Sequence, residues 1–205
     1  MWRKVTLGVV IALCGVAWFS GSHAQQVTVV EADRAFMAKA SQGGTAEISL
    51  GQLAASRGAT DGVRRFGQRM ASEHSAANAQ LMALAARKGV ALPSDPGAQA
   101  AYQRMAVLNG PEFDRAYAAQ MVRDHEMAAA EFEAASRTIR DPELLGWVTQ
   151  TLPVIREHQR MARDLNSMVT RGIPGPYPPV TAGTSWCQGG HSSQGTNFGI
   201  CPARF

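Results

Sequence analysis

The chain has 205 residues, 45% of them hydrophobic and only 7% aromatic, with a formal net charge of +4. That is enough for one ordinary domain with a core, and the excess of Ala over aromatics suits close-packed helices better than a β-sandwich. The charge is too balanced for a nucleic-acid surface: without Arg3 and Lys4 of the leader, the 20 basic residues become 18 against 16 acidic, a net of +2, and they are scattered rather than clustered.

Residues 1–24 read as a cleavable secretory signal. Arg3 and Lys4 form the charged start, Val5 to Phe19 is an apolar run, and Ser22-His23-Ala24 puts small residues at −3 and −1 of a cut before Gln25. The apolar run is about 15 residues, and a membrane span needs roughly 20, so an uncleaved anchor is disfavoured. A lipoprotein cut at Cys14 is disfavoured too, because Leu13 stands where a small residue is expected. The mature chain is expected in the periplasm or otherwise outside the cytosol, with envelope association left open and no transmembrane span. It keeps Cys187 and Cys201, which an oxidising compartment can join as a disulfide; two free thiols in the tail are the alternative.

After a lead-in (25–32) come four long helices in a domain spanning 33–169. The first is expected at Asp33–Arg57. The second, at Asp61–Lys88, has Thr60 as N-cap and Gly89 as stop. Residues 89–111, with Pro93, Pro96, Gly110 and Pro111, form a long connection that has room for a short helix at 97–107. This connection either crosses the bundle or caps one end. The third helix is expected at Glu112–Arg137. Asp141-Pro142 is an N-cap followed by Pro at the first helical position, so the fourth starts there and runs to about Val169. Short links make each pair of helices an antiparallel hairpin. From residue 170 to 205 a Pro/Gly-rich sequence cannot continue a helix and reads as an extended tail.

Stepping 100° per residue shows which side chains share a face. On the first helix Phe36, Ala40, Gly44, Leu50, Gly51 and Ala54 form the apolar stripe, with Glu47 inside it. On the second the stripe is Val63, Phe66, Met70, Ala77, Leu81 and Leu84, with His74 at its centre. On the third it runs Phe113, Tyr117, Met121, Ala128, Phe132 and Ala135, flanked by Asp124 and His125. On the fourth, Leu144, Trp147, Val148, Ile155, Ala162 and Leu165 enclose His158. Glu47, His74, His125 and His158 each lie about 13 to 16 residues into their helix, which in an antiparallel bundle is one level to within about a turn. Gly43, Gly44 and Gly51 on the inner side would allow close helix approach. Pro153 falls on the back of the fourth helix and should kink it by freeing the Thr149 carbonyl.

An unpaired carboxylate or imidazole in an apolar core costs several kcal/mol. Metal ligation removes that cost, so Glu47, His74, His125 and His158 are candidate ligands, with Asp124 as an extra one, for a single transition-metal ion (Fe, Mn, Zn or Cu). The competing reading is a metal-free polar layer in which Glu47 pairs with an imidazole and Tyr117, Thr151 or water satisfies the rest. A third reading has some of these residues facing solvent. A two-metal carboxylate centre lacks ligands, because Ala71, Val122 and Ile155 stand three residues before the histidines where a Glu is needed. Met70, Met121 and Met161 lie three or four residues from the histidines, a spacing that would suit Cu(I), although Met is also an ordinary core filler. Nucleophile triads, phosphate loops, Cys-x-x-Cys pairs and haem-attachment motifs are not apparent, so no catalytic residue is assigned and the reading leans away from an enzyme.

The stretch Phe36 to Gly51 around Glu47, Phe66-Gly-Gln-Arg-Met70 through His74, Glu112 through Asp124-His125-Glu126, and Thr151-Leu-Pro153 through His158 together resemble the bacterial domain-of-unknown-function family 4142. The resemblance covers about 33–166. It implies an exported, all-α, ferritin-like antiparallel four-helix bundle, of a kind often labelled a predicted outer-membrane protein. It implies no activity. The alternatives left are a metal-binding bundle, a structural or stress-related envelope protein, and a Met/His copper protein.

Overall fold

The structure is a computed structural model describing residues 29–93, 96–172, 185–186 and 200–201. The leader lies outside the described residues, and so does Cys187, with the expected disulfide to Cys201. Among the described residues five helices follow one another: α1 (Glu31–Arg57), α2 (Asp61–Arg87), α3 (Pro96–Ala106), α4 (Gly110–Thr138) and α5 (Pro142–Thr170). In the tail, β1 (Ser185–Trp186) pairs antiparallel with β2 (Ile200–Cys201), Ser185 opposite Cys201. Among the described residues no helix is long and apolar enough to cross a membrane.

The caps that the sequence advertises are in place. The Thr60 hydroxyl accepts from Val63 N, and the Asp141 carboxylate accepts from Leu144 N at 2.9 Å, with Pro142 opening α5. Gly89, at φ +65°, closes α2, with Val90 N donating to Ala85 O and Gly89 N to Ala86 O; only a residue free of a Cβ adopts that left-handed turn cheaply. Pro153 is exposed on the back of α5, which is unbroken from end to end.

Two aspartates near the starts of their helices do not cap those helices. Asp33 in α1 accepts from Arg140 N and Asp141 N, at 3.2 and 2.9 Å, and so holds the α4–α5 loop. Asp114 in α4 accepts from Ala59 N, Thr60 N and Thr60 Oγ1, at 2.8, 2.9 and 2.8 Å, and so holds the α1–α2 loop. Each hairpin thus anchors the turn of the other. Lys88, at the end of α2, pairs with Asp141 and Glu143 at the start of α5, at 2.7 and 3.0 Å.

These contacts fix the topology. The start of α1, the end of α2, the end of α4 and the start of α5 share one end of the bundle. The α1–α2 turn and the start of α4 share the other. Helices α2 and α4 therefore run the same way, and residues 88–109 must traverse the bundle. Of the two routes open to the connection, the crossing one is taken, and it carries α3 along α1. The result is an all-α bundle in up-down-down-up order.

Backbones approach most closely between α1 and α2. A Cβ on Gly51 would sit 2.7 Å from Gly67 O, and one on Gly67 would sit 2.6 Å from Gly51 O. At Gly44 a Cβ would meet the Asn78 side chain, whose amide donates to Ser41 O at 3.1 Å. Gly43 departs from the expectation: a Cβ there would meet nothing within 4 Å, because Gly43 is exposed at the edge of a cavity that the buried Gly44 also lines.

The core has two apolar halves. One holds Phe36, Met37, Leu81, Leu84, Phe132, Leu144, Trp147 and Ile155. The other holds Leu50, Phe66, Met70, Phe113, Tyr117, Met121, Met161 and Leu165. Along each long helix, the candidate ligands fall between residues of the first half and residues of the second.

Candidate metal centre

His74 comes from α2, His125 from α4 and His158 from α5. Their ring centroids are 5.3, 5.4 and 5.6 Å apart pairwise. One nitrogen from each can be chosen so that all three lie within 4.8 Å of one another, the one such group of three or more metal-donor side chains among the described residues. His125 and His158 are each 1% exposed, and His74 borders the cavity.

The hydrogen bonds decide which nitrogens are free. His125 Nδ1–H donates to Met121 O at 2.9 Å, which leaves the lone pair on Nε2. That Nε2 lies 3.4 Å from His74 Nε2. His158 Nε2 lies 2.6 Å from Glu73 Oε2, and Glu73 Oε1 accepts from Arg69 at 2.8 Å. Burial raises the Glu73 carboxyl, and the charge and hydrogen bond of the Arg69 guanidinium oppose that shift and favour the anion; to that anion His158 donates its Nε2–H, and Nδ1 keeps a lone pair. That Nδ1 is buried and has no partner. A carboxylate behind an imidazole orients it and makes it a better ligand.

Burial pushes all three imidazoles towards the neutral form. His125 falls to about 4, with the Met121 carbonyl opposing the shift. Burial drives His74 well below its ordinary range, and His158 and His125 add to the effect. Burial acts likewise on His158, followed by the charges of His125 and Arg69. A neutral imidazole is the form that binds metal.

The carboxylates fall into two places. Glu47 and Asp124 line the same cavity as the histidines but lie outside the 4.8 Å group. Burial raises Glu47 well above the usual carboxylate range, Asp124 raises it further, and its Oε2 has no partner. Burial raises Asp124 too, opposed by Gln120, whose amide donates to both of its oxygens, and by the charges of Arg123 and Arg104. Glu73 belongs beside the imidazoles, and the helical faces did not single it out. Its signal was the Arg69-x-x-x-Glu73 spacing next to His74, which reads equally well as a surface ion pair.

The hydrogen bonds expected for a polar layer are not the ones formed. An imidazole pairs with Glu73 rather than with Glu47. Thr151 donates to Trp147 O within its own helix, at 2.7 Å, and the buried Tyr117 hydroxyl has no partner. Met70, Met121 and Met161 are buried in the second apolar half and are not among the side chains lining the cavity.

The family described as a domain of unknown function, DUF4142, matches residues 19–165. The chain belongs to this family. Searches of curated proteins and of solved structures returned no match. In this DUF4142 chain the histidines sit within the matched span, on three different helices, and the tail after 165 falls outside it.

Proposed function

We propose that this DUF4142 protein is an exported, ferritin-like bundle that holds one transition-metal ion on His74, His125 and His158. The observation that carries the reading is the buried trio of imidazoles with ligand nitrogens within 4.8 Å of one another, held neutral by burial, with His158 Nδ1 lacking a partner. An all-nitrogen set suits Zn, Cu or Fe better than Mn, which prefers oxygen donors. Three protein ligands would leave at least one position for water or another molecule, and the three histidines line the cavity. Glu73 orients His158 and supplies negative charge nearby; Glu47 and Asp124 stand farther off. The leader supports export, and the single long crossover is the ferritin-like order.

Incubating the mature protein with each metal and removing the excess should leave about one equivalent of Zn, Cu or Fe. Replacing all three histidines with Ala should abolish retention. Recovery far below one equivalent for every metal would overturn the reading. The second reading, a metal-free layer that sets helix register, draws on the Glu73–His158 and His74–His125 contacts. It predicts that no metal is retained.

A further inference from the structure

The imidazoles form only part of the wall of a cavity of about 360 Å³. A metal-bound water occupies roughly 30 Å³, and small-molecule sites begin at roughly 300 Å³, so the space fits an organic ligand. Most of its lining is carbon, with Phe132 and Trp147 supplying aromatic surface. Its ionisable groups are lopsided: the carboxyls of Glu47, Glu73, Asp124 and Glu131 line it, against the single ammonium of Lys39. Lys39 is taken by Glu131 at 2.9 Å, and Glu73 by Arg69 at 2.8 Å. Asp124 has the neutral amide of Gln120. Glu47 is 6% exposed, and its buried Oε2 has no partner. Neither Glu47 nor Asp124 forms an ion pair among the described residues.

We propose that this cavity binds a small primary amine, its ammonium on Glu47 and Asp124 and its apolar body against Phe132 and Trp147. Burial and Asp124 favour the neutral form of the Glu47 carboxyl; a cation brings the hydrogen-bond donors and opposite charge that let it ionise in a desolvated place. An anion would meet the carboxyl groups of Glu47 and Asp124, and the one cationic side chain lining the cavity, Lys39, is held by Glu131; Arg104 and Arg123 act on Asp124 from outside the lining. Gly43 leaves the wall open, since a Cβ there touches nothing within 4 Å. The proposal stands apart from the metal, because Glu47 and Asp124 lie outside the imidazole group.

Calorimetry on the full mature chain, both chelator-treated and metal-loaded, tests it with three probes: 2-phenylethylamine, 2-phenylethanol and 3-phenylpropionate. The amine is expected to bind about tenfold or more tightly than the alcohol, the scale of a charged hydrogen bond, and the carboxylate not to bind. Glu47→Gln should bring the amine down to the alcohol. Gly43→Leu should weaken both while leaving helicity and retained metal unchanged. Amine binding by chelator-treated protein supports the proposal even if no metal is retained. Failure of all three probes at millimolar concentration, equal binding of the carboxylate, or an amine preference that survives Glu47→Gln would overturn it.

Discussion

His125 makes the stability of the metal-free protein depend on pH in a calculable way. Its imidazole, ordinarily at 6.5, is pushed down to about 4 by burial. The unfolded chain therefore binds a proton more readily than the folded one between those values. Stability is full above pH 6.5 and is lost as the pH falls towards 4. At pH 5 the unfolded imidazole is almost fully charged and the folded one is mostly neutral, which costs about 2 kcal/mol relative to pH 7.5. Glu47 is raised rather than lowered, so it acts in the opposite direction and masks part of the effect in the wild type alone. The measurement is therefore a comparison: urea unfolding of chelator-treated wild type and His125→Gln at pH 7.5 and pH 5. His74 and His158, lowered like His125, and Glu47 and Glu73, raised, are common to both chains and largely cancel. The wild type should lose about 2 kcal/mol more than the variant over that interval. Equal losses would show that the imidazole titrates in the folded protein as it does in water, and the buried neutral cluster would be refuted.

Other variants probe the frame. Asp114→Ala strands two backbone N–H groups of the α1–α2 turn and should cost about 3 kcal/mol in chemical denaturation; a cost below about 0.5 kcal/mol would contradict the cross-hairpin lock. Gly51→Ala drives a methyl into the α2 backbone and should lower the midpoint by the equivalent of about 2 kcal/mol, whereas Gly43→Ala should be neutral or stabilise by up to about 1 kcal/mol. Comparable losses at both glycines would contradict the assigned helix approach. Glu73→Gln removes the carboxylate behind His158 and should weaken metal affinity by about 10- to 100-fold, read by chelator competition. Unchanged affinity would remove Glu73 from the centre.

What the sequence made legible was local. Thr60, Gly89 and Asp141-Pro142 mark helix ends because each acts on backbone within a few residues of itself. The histidines stood out because 3.6-residue periodicity placed them on stripes that are otherwise apolar. Asp33 and Asp114 gave no such signal: each lies near the start of its helix, where an acid is ordinary, and their partners are 108 and 55 residues away. Glu73 was hidden because a partly buried ion pair and a surface one have the same spacing. Gly43 and Gly44 are neighbours on one helix with different surroundings, the first exposed and open, the second buried against Asn78, which a helical wheel cannot separate. The connection after α2 could be read as crossing or capping, because its route depends on which end the next hairpin starts from. The tertiary contacts of Lys88 and Asp114 decide that.

The most direct test of the account is the X-ray absorption spectrum of the metal-loaded mature protein. It predicts imidazole nitrogens at about 2.0–2.1 Å, three per metal, falling to two in His158→Ala and in His125→Ala. A sulfur scatterer from a methionine, an oxygen-only shell, or a spectrum unchanged by those substitutions would place the metal elsewhere and contradict the three-imidazole centre.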